Sequence, residues 1–287
     1  MRVVPLDDGT EYRIGVITVP KFYQDFAART SGEADYTSTS RDVARLILEL
    51  EADGIDGLVM DLRENGGGHL SEAIELSGLF IDNGPVVQVK ETTGALERHR
   101  DPSDGALYDG PLAVLVDRYS ASASEIFAAA IQDYQRGIII GQQTFGKGTV
   151  QNLFNLDRAA PASDSEGFGQ LTLTIGKYYR VTGDSTQNLG VKPDIELPSD
   201  IPTEAVGENT RDTALPWDRI ESARFRPNAP LAGIITTLND DQRQHAANDP
   251  NFNFLVEDFS ARLKGWNEDT VSLNKAKREA EHPLFII

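Results

Sequence analysis

Three serines, Ser120, Ser122 and Ser124, alternate with alanine in the run SASAS, and an apolar stretch follows at once. A strand that ends in small residues and opens a helix is a good seat for a nucleophile. The helix N-terminus offers unpaired backbone N–H groups and a positive dipole end, both of which favour developing negative charge. Serines at helix starts also serve as caps. One division gives Ser120 or Ser124 the local backbone bonds and leaves Ser122 exposed, but spacing alone does not decide it. A serine hydroxyl needs a base. The chain has four histidines, His69, His99, His245 and His282, and only His69 is near a glycine-rich turn. The other candidate is Lys147, between Gly146 and Gly148 and behind the aromatic Phe145. A lysine base must be neutral, which burial promotes, and flanking glycines let the backbone pack closely around it. The same tripeptide also reads as a surface lysine in a turn. A third element is DLRENGGG at 61–68. Its glycine-rich turn can present N–H groups to a phosphate or an oxyanion. The spacing of nucleotide loops, GxxxxGK[ST] or GxGxxG, is missing there.

The elements that must position these residues are legible in the pattern. Residues 12–19 (YRIGVITV) read as a strand ended by Pro20. A helix follows with Val43, Leu46, Ile47 and Leu50 on one face and Gly54 just past its end. Residues 57–62 (GLVMDL) form a buried strand that runs into the glycine turn, and a second helix starts near His69. Residues 85–90 suggest a strand, and 91–109 are polar and turn-rich. Residues 111–117 (PLAVLVD) are a buried strand that delivers SASAS, and Phe127, Ala130, Ile131 and Tyr134 share a face of the helix behind it. Strands at 137–141, 149–156 and 170–180 follow. Beyond Pro198, residues 199–209 are polar and aperiodic and read as a linker. Leu231, Ile234, Ile235 and Leu238 form one helical stripe, and Phe252, Leu255, Val256 and Phe259 another. Both are expected to be covered. The division is a core at 1–200 and a linker with a helical C-terminal region at 201–287.

Bulk properties narrow the function. The 287 residues suffice for one large core with a helical appendage. There is no cysteine, which removes disulfides, thiolate zinc sites and cysteine nucleophiles. A net charge of −18 disfavours nucleic acid and anionic membranes as partners. No apolar run approaches the roughly 20 residues of a membrane span. The N-terminus lacks the apolar stretch of a secretory leader, so either the protein stays in the cytoplasm or the chain lacks its natural start, and with the apolar PLFII at the other end both ends are candidate truncations.

Four ordered motifs, DLRENGGG (61–68), DRYSASASEIFAAAIQDY (117–134), GQQTFGKGTVQ (141–151) and LGVKPDI (189–195), resemble the tail-specific, C-terminal processing serine peptidases. The resemblance is strong over about 10–200 and continues more weakly through ALPWDRI (214–220). It implies an α/β fold, a Clp protease/crotonase-like core of ββα units, followed by the helical C-terminal region. It implies a serine–lysine dyad with Ser122 as nucleophile and Lys147 as base, 25 residues apart. Gln151 matches the residue that orients the lysine, and Asp133 matches an acidic position of the following helix, catalytic or structural. The oxyanion hole falls to the N–H of Ala123 with a glycine of the turn, Gly67 or Gly68. Relatives carry a PDZ domain ahead of this core, and the chain begins about where that domain would end. No cofactor or metal is implied. The implied partners are proteins with apolar C-termini and an adaptor lipoprotein, in the periplasm. Two alternatives remain: a catalytically silent binding or scaffold module on the same fold, and an esterase using Ser122 with His69.

Overall fold

The computed structural model describes the chain except for residues 7, 102, 159–166, 267–269, 271 and 282–287, so His282 and the terminal PLFII lie outside the described residues. The chain order is β1 (Arg2–Pro5), β2 (Glu11–Thr18), α1 (Phe26–Ser31), α2 (Thr39–Ala52), β3 (Gly57–Asp61), α3 (Leu70–Gly78), β4 (Pro85–Glu91), β5 (Leu96–Arg100), β6 (Leu112–Val116), α4 (Ala123–Asp133), β7 (Ile138–Gly141), β8 (Thr149–Asn155), β9 (Gln170–Tyr179), β10 (Ile195–Glu196), α5 (Ala232–Asn248), α6 (Pro250–Trp266) and α7 (Lys275–Glu281).

The strands form two sheets. The first has the order β1-β2-β3-β6-β7-β10 and the second the order β5-β4-β9-β8. In the first, β1 runs antiparallel to β2 and every later pair is parallel. The second is antiparallel throughout. Helix α4 contacts β7 of one sheet and β4 of the other, which explains why Ala123 through Ile131 are all buried. Its burial shows in the sequence as an almost unbroken apolar run, unlike the one-sided stripe of a surface helix. Val43 and Ile47 of α2, Ala73 and Leu76 of α3, and Leu58, Met60, Val114 and Ile139 of the sheet complete the core.

Strand order places the site. Because β3, β6 and β7 are parallel neighbours, their C-terminal ends emerge side by side. The glycine turn follows β3, SASAS follows β6 and the Lys147 loop follows β7. Three loops far apart in sequence therefore meet at the carboxyl edge of the sheet, where α/β folds place ligands.

The mixed α/β core and helical C-terminal region agree with the sequence reading, and two features differ from it. The polar stretch after β4 contains the strand β5, paired along Lys90↔Leu96 to Pro85↔Arg100. Its sequence, LERHR, is that of a sheet edge carrying charge, which masks the alternation. The apolar stripes of the C-terminal helices are covered only in part: Leu231, Ile235, Phe252 and Phe259 are half-buried, Ile234, Leu238, Leu255 and Val256 are exposed, and no residue of α5 or α6 is fully buried. The polar stretch after Pro198, for its part, packs against the core. Arg118, 1% exposed, donates to the carbonyls of Thr203 and Val206 and to Asn209 Oδ1, as well as to Gln143 and Thr144. Further on, Ala223 enters the core and its N–H donates to Val181.

Candidate active site

The three serines separate by their partners. Ser120 Oγ donates to the Leu62 carbonyl at 2.9 Å and accepts the Asp117 N–H at 3.0 Å. Ser124 Oγ donates to the Asn65 carbonyl at 2.8 Å. Both are fully buried and pin the helix start to the 61–68 loop. Ser122 instead lines a cleft of about 440 Å³, together with Gly68, His69, Leu70, Ala123, Ile126, Lys147, Gln151 and Tyr178. Its backbone sits at φ 58°, ψ −113°. For a serine this is strained, a state that persists only where the surroundings impose it and one found mostly at functional sites.

The glycine turn fits against that bend. A Cβ on Gly67 would lie 2.8 Å from Ser122 Cβ and 2.9 Å from Ala123 N, and one on Gly68 would overlap the Phe22 carbonyl at 2.0 Å. Only glycine allows the turn and the nucleophile loop to approach so closely. The Gly67 N–H donates to Asn65 Oδ1 at 2.8 Å, while Asn65 Nδ2 donates to the Val19 carbonyl. Among the described residues, the N–H groups of Gly68 and Ala123 have no acceptor, and both residues line the cleft.

Lys147 lines the same cleft, and its Nζ donates to Gln151 Oε1 at 3.2 Å. No hydrogen bond joins Nζ to the Ser122 hydroxyl among the described residues. The glycines beside it have a packing reason: a Cβ on Gly146 would meet the Asn188 backbone at 2.8 Å, and one on Gly148 the Gln187 backbone at 2.7 Å.

The sequence reading did not single out Glu125. This fully buried carboxylate accepts from the Ser122 N–H at 2.7 Å, the Lys147 N–H at 3.0 Å, the Gly146 N–H at 2.7 Å and Thr144 Oγ1 at 2.6 Å. It thus ties the nucleophile loop to the lysine loop. Burial pushes its pKa up to about 7, against the pull of those four donors. Tyr178 of β9 reinforces the junction by donating to the Lys147 carbonyl and, at 3.3 Å, to that of Ser122. A serine followed three residues later by glutamate at a helix start was the available signal.

Asp133 is not part of this cluster. It ends α4, about 15 Å along the axis from Ala123, and forms a buried ion pair with Arg180, whose Nε lies 3.1 Å from Oδ2. Of the histidines, His69 lines the cleft with its ring edge-on to Phe26 at 4.5 Å. His99 lies 3.5 Å from Glu97, and His245 is on α5 bonded to the Asp241 carbonyl. Among the described residues, no cluster of three His, Cys, Asp or Glu could hold a metal, and no helix is long and apolar enough to cross a membrane.

Comparison with known proteins agrees with the motifs. Residues 13–197 match Peptidase family S41, and residues 201–283 match the C-terminal domain of tail specific protease. The chain is 43% identical to a Haemophilus influenzae tail-specific protease over 94% of its own length and 37% of the relative's. It is 38% identical to a Synechocystis carboxyl-terminal-processing protease over 54% of its length and 34% of the relative's. It thus spans little more than a third of these relatives. Among solved structures, a photosystem II D1 C-terminal processing protease superposes with TM-score 0.53 at 29% identity, covering 66% of this chain and 44% of that one.

Proposed function

Given that the chain belongs to peptidase family S41, we propose that it is the catalytic segment of a serine endopeptidase, with Ser122 as nucleophile and Lys147 as general base. The observation that carries this reading is the strained Ser122, set in one cleft with Lys147 and with the free N–H groups of Ala123 and Gly68.

Neutral Lys147 Nζ removes the proton from Ser122 Oγ as Oγ bonds to the scissile carbonyl carbon. The carbonyl oxygen becomes an oxyanion held by the N–H groups of Ala123 and Gly68. Gly67, whose N–H is engaged by Asn65, shapes the hole rather than donating to it. The lysine ammonium then returns its proton to the departing amine nitrogen, leaving an acyl ester on Ser122. Water attacks the ester as Lys147 takes a proton from it; the adduct collapses as that proton passes from Lys147 to the departing Ser122 Oγ, and the product acid leaves as its carboxylate after giving its proton to solvent. Gln151 steadies Nζ between turns and releases it towards Oγ. Asp133 acts only through the fold of α4.

Substrates are proteins with apolar C-terminal tails, a preference supported by Leu70, Ile126, Val150 and Leu153 around the cleft. The protein works in the periplasm, with an adaptor lipoprotein as a partner, as the resemblance of its motifs implies.

The test is covalent labelling with a fluorophosphonate. Ser122 should carry the label by mass spectrometry, and Ser122→Ala should take none. Lys147→Arg should label no faster than Lys147→Ala, because arginine does not release its proton. Near-native labelling of Lys147→Arg together with loss in His69→Ala would transfer the role of base to His69.

A further inference from the structure

We propose that Arg118 is a positioning residue for the general base: its guanidinium fastens the loop that carries Lys147 to residues 203–209, so the stretch beyond Pro198 is a working part of the active site. The proposal rests on the assignment of Lys147 above and names what holds that lysine in place. Arg118 stands four residues before Ser122, on the nucleophile's own turn, and is fully buried. Its side chain donates to five acceptors drawn from two separate segments. Nη1 reaches the carbonyls of Gln143, at 3.4 Å, and Thr144, both in the loop after β7. Nε reaches the Val206 carbonyl at 2.6 Å, and Nη2 reaches the Thr203 carbonyl and Asn209 Oδ1, each at 3.1 Å. Every N–H donor of the guanidinium is thereby engaged. None of these acceptors carries a charge, although burial disfavours the cation. An apolar side chain would fill the space at less cost. The planar fork of arginine is what reaches both segments at once.

The fastening falls just ahead of the base. The carbonyls of Gln143, Thr144 and Phe145 follow one another along the loop. The first two accept from Arg118, and that of Phe145 accepts the Glu208 N–H at 3.0 Å. The Arg211 guanidinium lies over the Phe145 ring, 5.8 Å from its centroid. Gly146 and Lys147 come next, with their N–H groups held by Glu125. The base loop is thus gripped twice, by Glu125 at 146–147 and by Arg118 and Glu208 at 143–145. Gly207 shows how closely the far segment approaches: a Cβ there would meet Arg118 Nη2 at 2.2 Å, on a backbone at φ +142°. Lys147 Nζ must come within hydrogen-bond range of Ser122 Oγ to act, and a displacement of about 1 Å can cost about a hundredfold in rate. Slack at 143–145 passes along the chain to Lys147, two residues further on.

The experiment measures fluorophosphonate inactivation of the 287-residue chain and separates the affinity for the reagent, KI, from the rate of bond formation, kinact. Arg118→Met should lower kinact about thirtyfold and leave KI unchanged, because the lysine is displaced while the cleft keeps its shape. Asn209 is exposed, so Asn209→Ala folds even where Arg118→Met does not. It removes one acceptor of the fork and should lower kinact about threefold. Native kinact in either folded variant overturns the proposal, and so does a loss carried by KI. Hydrogen exchange over residues 142–147 is read by mass spectrometry in the same proteins. It should quicken there while β3 and β6 exchange as in the native chain. Quickening spread through β3 and β6 marks plain destabilisation and overturns the proposal as well. The two readings fail apart. A native chain that takes no label removes the nucleophile, with exchange still deciding the fastening, whereas variants that label at native kinact remove the fastening alone.

Discussion

The carboxylate of Glu125 accepts the backbone N–H of Ser122 at 2.7 Å, and the same oxygen accepts that of Lys147 at 3.0 Å. One buried atom therefore fixes the separation of the two loops on which the proposed chemistry depends. Its titration gives a signed prediction. The folded pKa, about 7, lies above the ordinary 4.5, so the stabilisation tied to the protonated form is complete below about pH 4.5 and is lost as pH rises through about 7. Relative to Glu125→Gln, the native chain should lose about 3 kcal/mol over that window. Thermal unfolding of both proteins from pH 4.5 to 8 measures it. A constant difference would mean that the four donors keep the carboxylate ionised throughout.

Ser122 holds a backbone conformation natural to glycine. Ser122→Gly should abolish labelling yet raise stability by about 1 kcal/mol, whereas Ser122→Ala should abolish labelling without that gain. Denaturant melts of the two variants distinguish relief of strain from simple loss of the hydroxyl.

Asp133 and Arg180 form a buried pair remote from the cleft. Removing one partner leaves the other uncompensated, so Asp133→Ala should cost about 3 kcal/mol. Arg180→Leu in the Asp133→Ala background should cost little more. A double-mutant cycle reads the coupling, and strictly additive effects would contradict the pair.

Arg118 depends on carbonyls supplied by Thr203 and Val206. A chain ending near residue 230 keeps these acceptors and should unfold cooperatively, since no residue of α5 or α6 is buried. A chain ending at residue 202 strands a buried guanidinium and should be weaker by about 3 kcal/mol or more. Urea unfolding of the two truncations decides it. Equal stability would show that the polar stretch is the simple linker its composition suggests.

Local chemistry was legible in the sequence wherever a residue's role depends on its chain neighbours. The buried strands 57–62 and 111–117, the glycines that admit close approach and the helix behind SASAS all follow from runs a few residues long. Burial of α4 between two sheets was visible as continuous apolarity. What the sequence left open depends on partners distant in the chain. Which serine faces the cleft is decided by Leu62 and Asn65, which take the hydroxyls of Ser120 and Ser124 from a loop nearly sixty residues earlier. The distance of Asp133 from the cleft follows from the length of a helix, and the place of Glu125 from donors on a loop about twenty residues later. Strand β5 was hidden because edge strands carry the charges that erase alternation. Neighbour order in the sheet, β3-β6-β7, is what brings the three loops together. That order is fixed by how the strands pair, and pairing is a property of the folded chain.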